Sequence, residues 1–547
     1  MVYDATSSAN STWDITADIG SINSTGYSGL ITASATLKVS GAVTFAASTF
    51  AHGNQKVIFD GVTATITTNG NPFYQLDILD TSTPTYTLAD DITVNNTLTI
   101  NNSANAAIIT INGNSINAKG DVATGATNRS VNGTTNLKIN GSGNQTVTMT
   151  FFTTSSLGLP FSIASTGGTV TLAGATFKIG NSWTHISGTV DAGTSTIWFF
   201  DTVSVTSNTM EFNNVEFQNT AASKTLTLND TLTINGNLNT NLGTSSAVNY
   251  TINGGTINLK GNLSSGGTER TTTGTATLAI VGTVGTQTIV WTAYSTNYFG
   301  LNLTFNSSST IQFGATFKYG AGTMTYTAGT MDFSTNSNLM TINASCNLNL
   351  GTAQLYQLTI ASGNTATLTG NLSLANTLTI TGTLSAGSNT ITCVGNWTKT
   401  GTFTAGTSTV VFNGTSTLAG ATAFYSLTIN AGKTVHLTST QTFSTNASGT
   451  FTATGGTNTL DATTGGSRAN FNVAGAQSVG QLAATDIDSS GGNQVLNYVG
   501  GAGTISNTVN WTITESSIKT IDGLVYGSVK TVDALATASI KTFNGLA

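Results

Sequence analysis

Apolar and polar residues alternate along most of the chain. In residues 224–228 (Lys-Thr-Leu-Thr-Leu) and 231–234 (Thr-Leu-Thr-Ile), Leu or Ile recurs at every second position, and Asn229 and Asp230 separate the two segments. A period of two places alternate side chains on opposite faces of a β-strand, and β-branched Thr suits an exposed strand surface. Nothing between residues 30 and 510 keeps a helical period for three turns. The pattern therefore predicts an all-β chain.

A six-residue box recurs along the chain. It reads FYQLDI, FNNVEF, LYQLTI and FYSLTI, and its copies begin at Phe73, Phe212, Leu355 and Phe424. The spacing of these starts indicates duplicated units of about 70 residues, often paired into about 140. Such units predict an elongated stack of coils, a β-solenoid, instead of a globule around one core. Coils of roughly 20 to 25 residues would then stack about 4.8 Å apart.

The repeats divide the chain into three predicted regions. We expect an N-terminal cap in residues 1–29, the β-solenoid body in residues 30–513 and a C-terminal tip in residues 514–547. In the tip, Ser-Ile-Lys-Thr or Ser-Val-Lys-Thr begins at Ser517, Ser528 and Ser539. An 11-residue apolar repeat can form a right-handed helical supercoil. The Asp-Gly and Asn-Gly pairs instead favour strands of about eight residues joined by short turns, and we expect strands.

The tip is either an oligomerising and attachment device or a cap over the open end of the solenoid. Its 11-residue repeats resemble those that end some phage tail and virion proteins, and this resemblance implies a homo-oligomer, with a trimer favoured. The candidate oligomerisation residues are the apolar positions Ile518, Val529, Ile540 and Phe543.

The central repeats carry a second resemblance. Residues 395–398 (Gly-Asn-Trp-Thr) precede 401–414 (GTFTAGTSTVVFNG) and then the box that begins at Phe424; a degenerate copy occupies residues 181–199. This arrangement is similar to the repeat of large bacterial surface and secreted proteins of the β-solenoid, adhesin-like kind. The resemblance implies an exposed, repetitive, non-catalytic scaffold.

Composition excludes several classes of protein. Only 7% of the residues are charged, against about 25% in average soluble proteins, but a hydrophobic content of 38% separates the chain from disordered ones. The net charge is −6 and the 16 basic residues are scattered, which disfavours nucleic-acid binding. The chain has no run of about 20 apolar residues, so we expect no membrane-spanning helix. The start of the chain lacks the features of a signal peptide, as expected of a removed signal or of assembly in a virion without secretion.

Few residues offer chemistry. The three histidines sit in no metal-ligand spacing and are expected at surfaces or edges. Asp486 and Asp488 form either a weak calcium loop or a solvated turn. Cys346 and Cys393 are interpreted as two buried small side chains, with a disulfide between coils as the alternative. We expect no cofactor and no catalytic site.

Repeated polar residues are predicted to have structural roles. The piece Gly-x-Gln-Ser/Thr-Val/Ile occurs around Gln145, Gln287 and Gln477, and each of the three arginines, Arg129, Arg270 and Arg468, follows a Gly-containing turn. An arginine at a repeated position would tie turn carbonyls together through its fork of N–H donors. The functional alternative is a row of sugar or carboxylate contacts along one edge.

Together these features predict a non-enzymatic structural fibre, extracellular and exposed on a virion as a tail fibre or appendage, that contributes to attachment to a host-surface glycan or receptor. The alternative is an adhesin-like β-solenoid on a bacterial cell surface or secreted from the cell. A third class, a β-helix that cleaves polysaccharides, would need paired carboxylates in a groove.

Overall fold

The structure is a computed structural model of the chain. It describes residues 2–3, 6–14, 16–80, 83–102, 108–124, 130–151, 155–218, 223–241, 249–265, 271–283, 285–293, 295–314, 316–498, 504–514, 520–521, 524–525, 531–532 and 535–536. The chain divides into two compact units, Met1–Ser309 and Thr310–Ala547. In the part of the chain that is described, every regular element is a β-strand, which confirms the all-β prediction.

The first unit consists of short strands joined by turns. Its strands are β1 (Ser11–Trp13), β2 (Ala17–Ile19), β3 (Ile22–Asn23), β4 (Ile31–Ala33), β5 (Leu37–Val39), β6 (Val43–Thr44), β7 (Phe50–Ala51), β8 (Lys56–Phe59), β9 (Thr63–Thr67), β10 (Phe73–Asp80), β11 (Thr85–Leu88), β12 (Ile92–Asn102), β13 (Ile109–Gly113), β14 (Ile116–Ala118), β15 (Val122–Thr124), β16 (Val131–Asn132), β17 (Leu137–Ile139), β18 (Gln145–Thr148), β19 (Leu157–Gly158), β20 (Phe161–Leu172), β21 (Thr176–Ile179), β22 (Trp183–Asp191), β23 (Thr196–Phe199), β24 (Val203–Thr206), β25 (Glu211–Phe212), β26 (Asn214–Gln218), β27 (Lys224–Leu228), β28 (Leu232–Ile234), β29 (Leu238–Asn241), β30 (Tyr250–Gly254), β31 (Thr256–Leu259), β32 (Leu263–Ser265), β33 (Thr272–Thr273), β34 (Thr277–Ile280) and β35 (Thr286–Val290).

Strand β36 (Asn302–Phe313) contains the boundary between the units. The strands that follow it are β37 (Phe317–Tyr319), β38 (Thr323–Asp332), β39 (Leu339–Ile342), β40 (Cys346–Asn349), β41 (Gln354–Leu355), β42 (Gln357–Ile360), β43 (Thr365–Leu368), β44 (Leu372–Leu374), β45 (Leu378–Ile380), β46 (Thr383–Ser385), β47 (Thr390–Cys393), β48 (Trp397–Lys399), β49 (Thr402–Thr404), β50 (Thr409–Phe412), β51 (Thr415–Ala419), β52 (Thr422–Phe424), β53 (Ser426–Ile429), β54 (Thr434–Leu437), β55 (Thr442–Thr445), β56 (Thr450–Ala453), β57 (Asn458–Ala462), β58 (Ala469–Val473), β59 (Ala476–Val479), β60 (Leu482–Thr485), β61 (Ile487–Asp488), β62 (Val495–Tyr498), β63 (Ile505–Ser506), β64 (Trp511–Thr514), β65 (Thr520–Ile521), β66 (Leu524–Val525), β67 (Thr531–Val532) and β68 (Leu535–Ala536).

In the first unit, each turn of the chain adds one rung to several parallel ladders. One buried column passes through seven successive coils, at Leu37, Val57, Leu76, Leu98, Val122, Val147 and Leu172. Each step of this column advances the register by roughly 20 to 25 residues, which is one short repeat of a solenoid. Burying one aliphatic side chain contributes about 1.5–3 kcal/mol, so such a column holds its coils together. This unit is a β-solenoid.

The second unit is built in the same way. Its ten-stranded sheet carries a buried column at Phe317, Met340, Leu358, Leu378, Trp397, Leu418 and Leu437. Each step advances the register by roughly 20 residues. The Thr residues between the inward positions point outward and are partly exposed, as the alternation predicts. This unit is also a β-solenoid, and several of its coils, such as the one from Met340 to Leu358, are shorter than predicted.

The sequence repeat and the structural coil are out of phase. In the first unit, the box that begins at Phe73 lies on β10 in a fifteen-stranded sheet, whereas the box that begins at Phe212 continues into β26 on a different ladder. In the second unit, the box from Leu355 ends on β42 in the ten-stranded sheet, and the box from Phe424 ends on β53 in a seven-stranded sheet. Within each unit, the interval between the two boxes is therefore not a whole number of coils, and the two boxes lie on different sheets.

The two ends of the chain refine the predicted boundaries. Strand β1 already pairs in parallel with β4, and β2 with β5, so the stacked coils begin inside the range 1–29 that the sequence predicts as a cap. In the tip, β65 pairs with β66 and β67 with β68, both antiparallel and one sequence repeat apart. The described tip residues therefore form strands, as expected.

Candidate functional site

Two of the repeated glutamines tie neighbouring coils together. The Gln145 side chain is 1% exposed; its Oε1 accepts from the N–H of Gly141 at 2.7 Å and its Nε2 donates to the carbonyls of Ala118 and Gly120 at 3.0 and 2.7 Å. Gln287, which is 2% exposed, repeats this arrangement one duplication later. Since a buried polar group without partners is costly, these hydrogen bonds satisfy both amides and link neighbouring coils.

The third glutamine and one arginine make similar ties at more exposed places. Gln477 is half-buried, and its amide donates to the carbonyl of Gln494 at 2.7 Å. Arg468 donates from Nε to the carbonyl of Asn507 at 2.8 Å and from its guanidinium to the side chain of the same residue. Arg468 thus links its segment to the one that carries Asn507. Arg129 and Arg270 lie outside the described residues.

The four candidate oligomerisation positions of the tip also lie outside the described residues. These positions are Ile518, Val529, Ile540 and Phe543.

The two carboxylates of the candidate calcium loop are occupied by donors from the protein. Asp486 accepts from the side-chain amide of Asn507 and from the N–H of Gly466, and these bonds hold the pKa of its carboxyl below the usual value. Asp488 accepts from the N–H of Ser490 at 2.8 Å, and the hydrogen bonds from the side chain and the backbone of Ser490 lower the pKa of its carboxyl. Among the described residues, no group of three or more His, Cys, Asp or Glu side chains could hold a metal ion.

Both cysteines are free and buried, which matches the interpretation as small core side chains. Burial raises the pKa of the Cys346 and Cys393 thiols to about 12. The expectation that the histidines lie at surfaces or edges is wrong in one case, because His185 is only 7% exposed.

His185 has a structural role that the sequence does not predict. Its two ring nitrogens lie 3.0 Å from the carbonyl oxygens of Ser207 and Gly188. At the corresponding positions of two later sequence copies, other side chains reach the carbonyl of the matching glycine. The Tyr326 hydroxyl donates to the carbonyl of Gly329 at 2.6 Å, and the Lys399 ammonium donates to that of Gly401 at 3.2 Å.

The turn before the second box is held by an aspartate from the next coil. The carboxylate of Asp230 accepts from the N–H and hydroxyl of Ser207 and from the N–H of Asn208. In the preceding copy, Asp90 accepts in the same way from Thr68 and Asn69. Because Asn208 and Asn69 have φ of +43° and +48°, the aspartate fixes a left-handed turn in both copies.

A polar cleft of about 430 Å³ opens beside this turn in the first unit. It is lined by His185, residues 188–193, residues 209–211, Asn213 and Asn235. Met210, Ala192 and His185 are buried, whereas Asp191, Thr209 and Glu211 are exposed. The cleft therefore combines an apolar base with a polar rim contributed by three neighbouring coils.

A charged network closes one side of the cleft. Glu211 accepts from the amide of Asn235 at 2.7 Å and from the ammonium of Lys260 at 3.1 Å, and Lys260 also donates to Asn235 at 2.8 Å. The bonds from Asn235 and Lys260 lower the pKa of Glu211, so this carboxylate is ionised at neutral pH. On the other side, Asp191 accepts from the N–H of Gly193 at 2.9 Å.

The cleft lies where the second copy departs from the others. Asn213 occupies the second position of its box, where the three other boxes carry a tyrosine; these are Tyr74, Tyr356 and Tyr425. Thr209 occupies the position of Gly70 in the first copy and keeps its left-handed backbone, with φ of +68° against +80°. A β-branched residue in this conformation is an outlier that costs about 1–3 kcal/mol. The cleft is therefore lined by a strained residue, Thr209, and by Asn213 in place of an aromatic ring.

The fold and its inter-coil contacts define the chain as a β-solenoid repeat protein. Comparisons with protein-family models, with curated proteins and with solved structures find no match. None of the described residues belongs to a helix with the length and apolar character needed to cross a membrane.

Proposed function

We propose that this chain is a non-enzymatic structural fibre protein, exposed on a virion as a tail fibre or appendage, that contributes to attachment to a host surface. The observation that carries the proposal is the repeated cross-coil architecture of each unit. Parallel ladders, continuous buried columns and the buried Gln145 and Gln287 ties make a stiff scaffold out of local contacts between neighbouring coils. A scaffold of this kind suits a protein that spans a distance.

The tip supports the virion setting. Its 11-residue repeats resemble the ends of phage tail proteins, and the described residues of two repeats form antiparallel strand pairs. Strand pairs of this kind can add strands from other copies at their edges. We expect the tip to hold a homotrimer through the apolar positions of its repeats.

A bacterial surface or secreted adhesin is the second candidate. It is favoured by the adhesin-like repeat, in which His185, Tyr326 and Lys399 make similar contacts with the carbonyl of a nearby glycine. The two settings differ in where the protein is found and in whether the tip is needed for assembly.

Two measurements test the proposal. Light scattering would give the solution mass of the full chain beside a version that ends at Thr514; a trimer that dissociates without the tip supports the fibre, and monomers in both cases contradict it. Antibodies against the purified chain would then be applied to separated virus particles and cell envelopes from the source culture. Labelling of particles supports the virion, whereas labelling of envelopes alone favours the adhesin.

A further inference from the structure

We propose that the cleft beside the second box binds a short neutral saccharide. This inference rests on the proposed role in surface attachment and assigns that role to particular residues. It goes beyond the scaffold, because the buried amide ties of Gln145 and Gln287 lie elsewhere and do not need an open cleft.

The lining has the chemistry that sugar recognition requires. A sugar ring presents vicinal hydroxyls, which both donate and accept, on a body with apolar C–H faces. In the cleft, the carboxylate of Asp191 accepts, the amide of Asn213 both donates and accepts, and the exposed hydroxyl of Thr209 does both. Met210 supplies an apolar surface at the base. A volume of about 430 Å³ lies in the range of small-molecule sites and limits the ligand to a short saccharide.

The charges indicate a neutral ligand. Two carboxylates, from Asp191 and Glu211, reach the cleft, and the nearby ammonium of Lys260 is already engaged by Glu211 and Asn235. Of the described residues that line the cleft, none is Lys or Arg. A sialylated, sulfated or phosphorylated ligand would therefore face like charge without a compensating cation, and such a contact discriminates against it.

Two departures from the repeat indicate that the cleft has a use. At the position of Asn213, three other copies place a tyrosine, whose ring is partly buried against the solenoid. At the position of Thr209, the first copy has Gly70, which adopts the same backbone without strain. The framework of the turn, including its aspartate cap, is kept in both copies. The second copy has therefore exchanged the ring for an amide and the glycine for a hydroxyl, and strain of this kind collects at ligand sites.

The repeat also supplies the test. Asn213→Tyr introduces the residue that the other boxes carry, so it should leave the fold intact while it fills the cleft. The matched control, Tyr425→Asn, makes the reverse exchange in the fourth box. A third variant, Thr209→Gly, relieves the strained backbone and removes a hydroxyl.

The purified full-length protein and its variants would be applied to a printed panel of neutral, amino, sialylated and sulfated oligosaccharides, and affinities for the strongest ligand measured by biolayer interferometry. We expect saturable binding of a neutral oligosaccharide that weakens by about tenfold or more in Asn213→Tyr and is unchanged in Tyr425→Asn. We expect Thr209→Gly to bind more weakly and to melt at a higher temperature than the parent protein.

Other results would overturn the inference. These are the absence of binding to the panel, a preference for acidic glycans, or affinity that Asn213→Tyr leaves unchanged in a folded protein. If the protein releases reducing ends from the bound oligosaccharide, and Glu211→Gln abolishes this release, the cleft is a site of saccharide cleavage and the binding proposal is wrong. The two proposals can fail separately. If the antibody labels virus particles but the protein binds no glycan, only the proposed saccharide site is wrong. If the protein binds the glycan but is found only on cell envelopes, only the proposed location on a virion is wrong.

Discussion

The buried amide of Gln287 offers a sharp test of how the coils are held together. Its Oε1 accepts from the N–H of Gly282 and the hydroxyl of Ser307, both at 2.9 Å. Its Nε2 donates to the carbonyls of Gly261 and Lys260 at 2.9 and 3.1 Å. Replacement by alanine removes the acceptor of the Gly282 N–H and the donor to the Gly261 and Lys260 carbonyls from a buried place, since the side chain is 2% exposed. The Ser307 hydroxyl keeps an acceptor, the carbonyl of Gly282 at 2.7 Å.

The magnitude follows from the hydrogen bonds that the substitution removes. A buried hydrogen bond contributes about 1 kcal/mol net, and a buried donor left unsatisfied costs about 1–3 kcal/mol. The Gln287→Ala change is therefore expected to reduce the local stability by about 3 kcal/mol. Gln287→Glu should cost more, because it directs a carboxylate oxygen at backbone carbonyls and brings a charge into the interior.

The assay must report locally, because long repeat arrays need not unfold in a single step. We would measure native-state hydrogen exchange in peptides that cover residues 277–290. A loss of about 3 kcal/mol lowers the protection factor roughly hundredfold. As a control, Gln477→Ala removes a half-buried side chain whose partners water can reach, and it should lower protection by less than about tenfold. If Gln287→Ala changes protection by less than about threefold, the buried tie does not hold the coils.

Three further results are expected. Asp230→Ala, which leaves the N–H groups of Ser207 and Asn208 without their acceptor, should destabilise its turn by about 2 kcal/mol. Asp90→Ala should do the same one copy earlier, and hydrogen exchange would show whether the two losses add. Burial raises the pKa of both cysteine thiols to about 12, so iodoacetamide at pH 8 should label neither in the native protein and both in urea, as read by intact mass. The pKa of Asp486 lies below its ordinary value because the side chain of Asn507 donates to its carboxylate. The stability that this carboxylate contributes is present above the unfolded pKa of about 3.9 and is lost as the pH falls through the lower folded pKa. The melting temperature of an Asp486→Asn variant should therefore fall less steeply with decreasing pH than that of the parent protein.

Much of the fold could be predicted because its strands and coils follow from local sequence patterns. Alternation of Leu and Thr predicts the strands, and the recurring box predicts a stack of coils. The phase of the stack could not be predicted. Coils span roughly 20 to 25 residues along the first buried column and roughly 20 residues along the second, because the turns between short strands gain and lose residues. The sum over several coils therefore drifts relative to the sequence repeat.

Only part of the candidate site could be predicted from the sequence. The structural role of Gln145 and Gln287 follows from their recurrence, and the structure supplies their partners. The cleft instead depends on residues that break the repeat, Thr209 and Asn213. The positions that the four boxes share belong to the apolar framework. The signal for the cleft is a difference between the boxes, because Asn213 stands where the three others have a tyrosine. The contact that joins His185 to Ser207 needs the fold, since the two residues meet only across coils.

The mismatch between repeat and coil also explains how one copy can change while the others do not. Because equivalent boxes lie on different sheets within a unit, a substitution in one box does not form a continuous row with its counterparts. In a solenoid, each coil contacts only its neighbours, so the strain at Thr209 stays local. It is opposed by the carboxylate of Asp230, which holds the adjoining left-handed residue from the next coil. The architecture can therefore tolerate a costly backbone at Thr209, while the buried columns and amide ties keep the coils in register.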